Sequence, residues 1–453
     1  MNKAIEEAMK ALEAAIPKAQ ADPDRPVFHM LPPAQWCNDP NGPVYHNGYY
    51  HIFYQHCPFG DTPGQGRWQM YWGHARSKDL VRWEHLPIAI WPSNDLGENG
   101  CWSGTAAIRD DGVPFIIYTS VGPNKNAKDA SEHWAATGDP ELITWKKHPA
   151  NPVLSHKAHK DVKIEDWRDP FIFREGKKWY MVIGGHRVGG KGCITLYSSD
   201  DLEKWEFLGI PFEGTEDNWE VPNLFKLGSK WVLTYSPYST IKYYTGDFDL
   251  KTLKFKPEYQ GTVDFSPNFY AMNCFQLEKG RRVLIAWIGA WENGFKPGRG
   301  WAGCMSLPRE LSILPSGQLV QKPIGEFSKL RAKHYDGLHS LQSLQSLQSQ
   351  NINTLEIQAE IEGESWEMKL GTLEDGGKLA IACSGKEIDV LGTKIPLEKP
   401  GKTFELHMFL DRTVLEILIN GVSCTKVVYL KNLKHEFSGN FKKIDAWKIK
   451  SIW

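Results

Sequence analysis

The chain has 453 residues, enough for two domains, and its 53 Lys and Arg nearly balance 54 Asp and Glu. That balance leaves no basic footprint for nucleic acid or an anionic membrane surface, and no run of about 18 apolar residues is present to cross a bilayer. Aromatic residues are abundant, with 19 Trp, 16 Tyr and 20 Phe; Trp suits both a core and the apolar face of a sugar ring.

The opening stretch MNKAIEEAMKALEAAIPKAQ spaces Ile5, Met9, Leu12 and Ile16 three to four apart among charges. This predicts an amphipathic helix within residues 1–25, not a signal peptide. Eight cysteines are scattered without CxxC or paired His spacing. They read as free thiols in a reducing compartment, so the expected location is cytoplasmic and no metal site is expected.

From Asn47 a faint repeat organises the chain. NGYYHIFYQ, DGVPFIIYTS, EGKKWYMVIGG, LGSKWVLTYS and KGRRVLIAWIG each leave a turn glycine for a β-branched and aromatic strand; the glycines are Gly48, Gly112, Gly176, Gly228 and Gly280. A second echo follows four of them: KDLVRW, PELITW, DDLEKW and FDLKTL. Short strands repeated as a unit of about 50 to 60 residues predict an all-β fold, a five-bladed β-propeller over residues 26–325. GGHRVGGKG at 184–192 lacks the ending of a phosphate-binding loop and reads as an interstrand loop, so no cofactor is expected. LHSLQSLQSLQSQN lies in a linker spanning 326–352, and alternating strands over 353–453 predict an antiparallel β-sandwich.

Seven to nine residues before the repeat glycines stand Asp39, Ser103, Asp169, Glu220 and Asn273. Each acid alone has a bland reading: a turn in DPNG, a surface pair with Arg168, a solvated Glu. Equivalent positions in successive blades surround the axis at one height, so together the three carboxylates would share a pocket with an Arg and several Trp. Carboxylates beside aromatic faces point to glycoside hydrolysis, and crowding and burial would keep one carboxyl protonated for acid catalysis.

WCNDPNG (36–42), YQHCPFG (54–60), WGHARSKDLVRW (72–83), CWSGTA (101–106), WRDP (167–170), WEVPNLF (219–225), DFSPNFYA (264–271), WAGCMSLPREL (301–311) and LDRTVLEILING (410–421) occur in that order. In combination they resemble glycoside hydrolase family 32, the invertases, sucrose-6-phosphate hydrolases, inulinases and levanases. The resemblance implies a propeller with a C-terminal sandwich and a retaining double displacement at fructose C2. It implies Asp39 as nucleophile, Glu220 as general acid and then base, and Asp169 as an ionised fructose ligand. Asn38, Gln55, Trp68, Trp102, Ser103, Arg168 and Trp301 become the fructose-binding shell. The chain departs from the family pattern at Cys37 (usually Met), at Val221 and Asn223 (usually Cys and Asp) and at Asn268 (more often Asp).

The activity expected is β-fructofuranosidase, with sucrose first among substrates and no partner beyond the sugar. Alternatives are a sucrose-6-phosphate hydrolase, with Arg187 and Lys191 as candidate phosphate contacts, a fructan exohydrolase and a fructosyltransferase. An inverting arabinan- or xylan-cleaving propeller and a catalytically silent sugar-binding propeller stand further off. Oligomeric state is not legible in the sequence.

Overall fold

The computed structural model describes residues 2–290, 294–336, 352–397 and 402–453. A helix, α1 (Lys3–Ala21), opens the chain, capped by Asn2, whose side chain accepts the Ala4 N–H. It buries Ile5, Ala8, Leu12 and Ala19, meeting Tyr71 and Ile88 of the first blade. No helix among the described residues is long and apolar enough to cross a membrane.

The described residues then form five antiparallel blades, I to V, whose innermost strands are Gln35–His46, Gly100–Ile108, Ile164–Glu175, Glu220–Leu227 and Phe269–Gln276. Each inner strand packs against those of both neighbouring blades, which closes the ring around an axis. The five repeat glycines connect each inner strand to the second strand of its blade. All have positive φ, from 59° to 82°, a conformation that glycine adopts without steric cost. The second echo turns the chain from third to fourth strand: Leu80, Leu142 and Leu202 are buried with φ of 61°, 59° and 67°. Asp79, Asp139 and Asp201 accept the main-chain N–H groups of those turns, as short polar side chains do in Asx turns. The segment 184–192 is, as expected, strand and hairpin loop.

The C-terminal domain is a sandwich in which two long strands serve both layers. Thr354–Leu373 pairs through its first half with Thr403–Asp411 and through its second half with Lys378–Ser384; Leu430–Ile449 follows it along both. Ile357, Met368, Ile381, Met408 and Ile417 fill the space between the layers. The expected hairpin forms around Asn420–Gly421, both at positive φ. The linker assigned to 326–352 is shorter than the sequence suggested. Arg331–Asp336 is already a sandwich strand paired to the chain's last strand, because its backbone completes that strand's open edge. The low-complexity stretch 338–351 lies outside the described residues.

A fully buried charge network joins the domains. Arg309 of blade V donates to Glu416 (2.7 Å), Gln321 (2.8 Å), Ser423 (2.9 Å) and Thr425 (2.9 Å). His29 bridges Asp411 (2.9 Å) and Glu416 (3.0 Å). Asp411 also accepts the main-chain N–H groups of Val27, Phe28 and His29. The acids of LDRTVLEILING therefore hold the sandwich to the propeller.

Candidate active site

Every inner strand is bulged at the same height. Pairing with the second strand slips between Cys37 and Pro40, Cys101 and Gly104, Arg168 and Phe171, Glu220 and Asn223, and Tyr270 and Asn273. A bulge kinks the strand and re-aims its side chains. Here it presents Asp39, Ser103, Asp169 and Glu220 at one end of the central channel. Asp169, Val221 and Ala271 sit in these bulges with φ of 65°, 45° and 51°, costly for residues with a Cβ and characteristic of functional sites.

Asp39 is held by neighbours on blades I and II. Its Oδ1 accepts from Asn38 Nδ2 (3.0 Å), and its Oδ2 from Ser103 Oγ (2.5 Å) and Gln55 Nε2 (3.3 Å). Asn38 is oriented in turn by the Trp36 indole N–H (2.8 Å). Trp36 meets Trp68 edge-on at 5.5 Å between ring centroids. These contacts fix the carboxylate while leaving it open to the channel.

Asp169 and Glu220 are tied together across blades III and IV. Glu220 Oε1 accepts from Arg168 Nη2 (2.7 Å) and Nε (3.2 Å), and its Oε2 from the Tyr270 hydroxyl (2.6 Å). Asp169 Oδ2 accepts the Val221 N–H (3.0 Å), while its own N–H donates to Thr119 Oγ1 (2.9 Å). The unusual backbone of Val221 thus aims an amide at a carboxylate. Arg168 also donates to the Asp166 carbonyl (2.9 Å), and its guanidinium lies 5.9 Å from the Trp102 ring centroid.

Burial pushes Asp169 up to about 8; Arg168 and the Val221 N–H oppose this, while Glu220 and Asp39 reinforce it. Asp39 is raised as well, by burial against the bonds from Ser103 and Asn38, with the charge of Glu220 adding to it. Burial and like charge thus both favour the protonated forms of Asp39 and Asp169, and the two titrate as members of one coupled site.

Asp39, Asp169, Glu220, Asn38, Gln55, Trp102, Ser103 and Arg168 therefore converge, with Trp68 against the Trp36 wall. Trp301 does not join them. It is 1% exposed, its indole N–H donates to Asp22 (2.8 Å), and it packs with Leu12 and Ala19 of α1. Parallel pairing of Trp301–Ala302 with Gln35–Trp36 sets it beneath the helix, where it is a core residue. Sequence reasoning missed Tyr270, which lay inside the quoted DFSPNFYA, and Tyr238, which lies in no motif. Asn268 serves the domain interface: its Oδ1 accepts the Val427 N–H (3.4 Å). Asn223 is buried behind Glu220 and donates to the carbonyls of Val221 (3.3 Å) and Met272 (3.1 Å).

The family model described as "Glycosyl hydrolases family 32 N-terminal domain" matches residues 29–323. The chain belongs to glycoside hydrolase family 32. It is 32% identical over 445 residues to the sucrose-6-phosphate hydrolase of Zymomonas mobilis, covering 87% of this chain and 83% of the relative. Among solved structures, a Bombyx mori family 32 β-fructofuranosidase superposes with a TM-score of 0.81 at 27% identity, covering 99% of each chain. A variant of that enzyme has been solved with sucrose. The sucrose-6-phosphate hydrolase of Lactobacillus gasseri superposes with a TM-score of 0.83 at 26% identity, covering 98% of this chain and 97% of the other.

Proposed function

We propose that this chain is a retaining β-fructofuranosidase that removes terminal β-D-fructofuranosyl units, with sucrose as its first substrate. The observation that carries the proposal is the convergence of Asp39 and Glu220 from opposite blades, each held by its own set of donors. Asp39, fixed by Asn38, Gln55 and Ser103, attacks fructose C2 as the bond from C2 to the leaving oxygen breaks. Glu220 gives that oxygen a proton, so a neutral alcohol departs. Glu220 then takes a proton from water, whose oxygen attacks C2 and frees Asp39; two displacements retain configuration. Asp169 and Arg168 bind fructose hydroxyls, and a substrate that brings polar groups to the buried Asp169 favours its ionised form. Trp102 and Trp68 supply apolar walls.

The two candidate phosphate cations each lie in an exposed ion pair with a surface carboxylate, so neither marks a phosphate site. Arg187 faces Glu213 (3.2 Å) and Lys191 faces Asp217 (2.7 Å). The eight cysteines, all free and buried, support a cytoplasmic location. Asp39→Asn and Glu220→Gln, assayed on sucrose with circular dichroism as a control for folding, are each expected to lose several orders of magnitude in kcat; near-normal turnover in either ends the assignment. Rates on sucrose, sucrose-6-phosphate, inulin and levan rank the substrates.

A further inference from the structure

At the mouth of the pocket stands an aromatic ring that no step above uses. Tyr238 lies in the blade IV loop between strands Lys230–Ser236 and Lys242–Asp249. It is 63% exposed, more than any other large hydrophobic side chain among the described residues. An exposed ring is ordinarily free to turn, but this one is anchored at both ends. Its hydroxyl oxygen accepts from Arg168 Nη2 (2.5 Å) and Asn218 Nδ2 (3.1 Å), and its main-chain N–H donates to the Tyr270 hydroxyl (2.9 Å). The backbone is held at φ 59°, a left-handed conformation that is unfavourable for a residue with a side chain. A strained, ordered and solvent-facing aromatic is the arrangement needed to present a flat apolar surface to a ligand.

The anchors place that surface. Arg168 and Tyr270 are the same two groups that hold the oxygens of Glu220, so Tyr238 stands outward of Glu220. The donors to Asp39 come instead from blades I and II. In the reaction proposed above, on which this inference rests, Glu220 protonates the leaving oxygen, and the departing group therefore lies on its side of the pocket.

We propose that Tyr238 is the platform for the leaving-group sugar, stacking on the apolar face of an uncharged pyranose such as the glucose of sucrose. Beside it Asn218 bonds to His186 (3.2 Å) and Arg168 to Asp166 (3.2 Å). His186 and Asp166 remain partly exposed, so they offer a donor and an acceptor to the hydroxyls at the ring's edge.

The test compares kcat/KM on sucrose with that on methyl β-D-fructofuranoside, whose leaving group is methanol, in wild type, Tyr238→Ala and Tyr238→Phe. Both variants lose the hydroxyl bonded to Arg168, so both fall on both substrates. Only Tyr238→Ala loses the ring, and its sucrose-to-methyl-fructoside ratio is expected to drop about tenfold, the size of one well-placed aromatic contact. Tyr238→Phe is expected to keep the wild-type ratio within about twofold. An unchanged ratio in Tyr238→Ala, or a drop as large in Tyr238→Phe, would overturn the platform and leave the residue only a positioning role through Arg168. A wild-type enzyme inert on both substrates would overturn the parent reading and the platform together.

Discussion

Asn223 offers a sharp test of the packing behind the acids, because the family pattern usually carries Asp at that place. The side chain is fully buried, and its amide donates to two carbonyl oxygens, those of Val221 and Met272. A carboxylate has nothing to donate there, so Asn223→Asp must either bury a charge against two carbonyls or hold its proton. Holding a carboxyl neutral at pH 7, about three units above its ordinary pKa, costs about 4 kcal/mol. Even a protonated carboxyl replaces only one of the two bonds, a further loss of about 1 kcal/mol. The unfolded chain releases the proton near pH 4 while the folded chain keeps it, so the folded state binds more protons and stability falls as pH rises. The expected loss grows from about 1 kcal/mol near pH 4 to about 5 kcal/mol at pH 7. A cooperative unit of this size changes stability by about 1 kcal/mol per degree near its midpoint. Thermal unfolding of wild type and variant at both pH values should then separate their Tm by about 1 °C in acid and about 5 °C at neutrality. Equal Tm values throughout, or a larger gap in acid, would refute the reasoning.

The domain interface carries its own pH dependence. Burial pulls the His29 imidazole down, but hydrogen bonds and charge from Asp411 and Glu416 outweigh it and leave the group raised to about 9. A raised histidine contributes its stability fully below the unfolded value near 6.5 and loses it as pH climbs through 9, about 3 kcal/mol in all. Wild-type Tm should therefore descend between pH 7 and 10, and His29→Gln should flatten that descent; an unaltered slope argues against a charged His29. Trp301→Phe separates a core residue from a sugar contact. Losing the bond to Asp22 should lower Tm by a degree or two with KM for sucrose unchanged, whereas a raised KM at unchanged Tm would return Trp301 to the binding shell.

Much of the architecture was legible because it rests on local sterics. A glycine at each inner hairpin answers the need for positive φ between two residues adjacent in sequence, and that need recurs once per blade. Alternating apolar residues mark the sandwich strands because successive side chains point to opposite faces. The common phase of Asp39, Asp169 and Glu220 was visible for the same reason: a repeat conserves distance from its own turn. Arg168 was legible beside Asp169, but its bond to Glu220 spans 52 positions and depends on how blade III meets blade IV.

The sequence by itself thus determined the blade count, the sandwich and the height at which the acids stand. Ring closure and domain docking decided the rest. They brought Tyr270 and Tyr238 to Glu220, moved Trp301 from the sugar shell to the seat of α1, and gave Asp411 and Glu416 to the interface. The physical reason is that turn geometry and strand faces are properties of near neighbours along the chain. Which carboxylate meets which guanidinium or hydroxyl is set by surfaces that become neighbours only when the propeller closes.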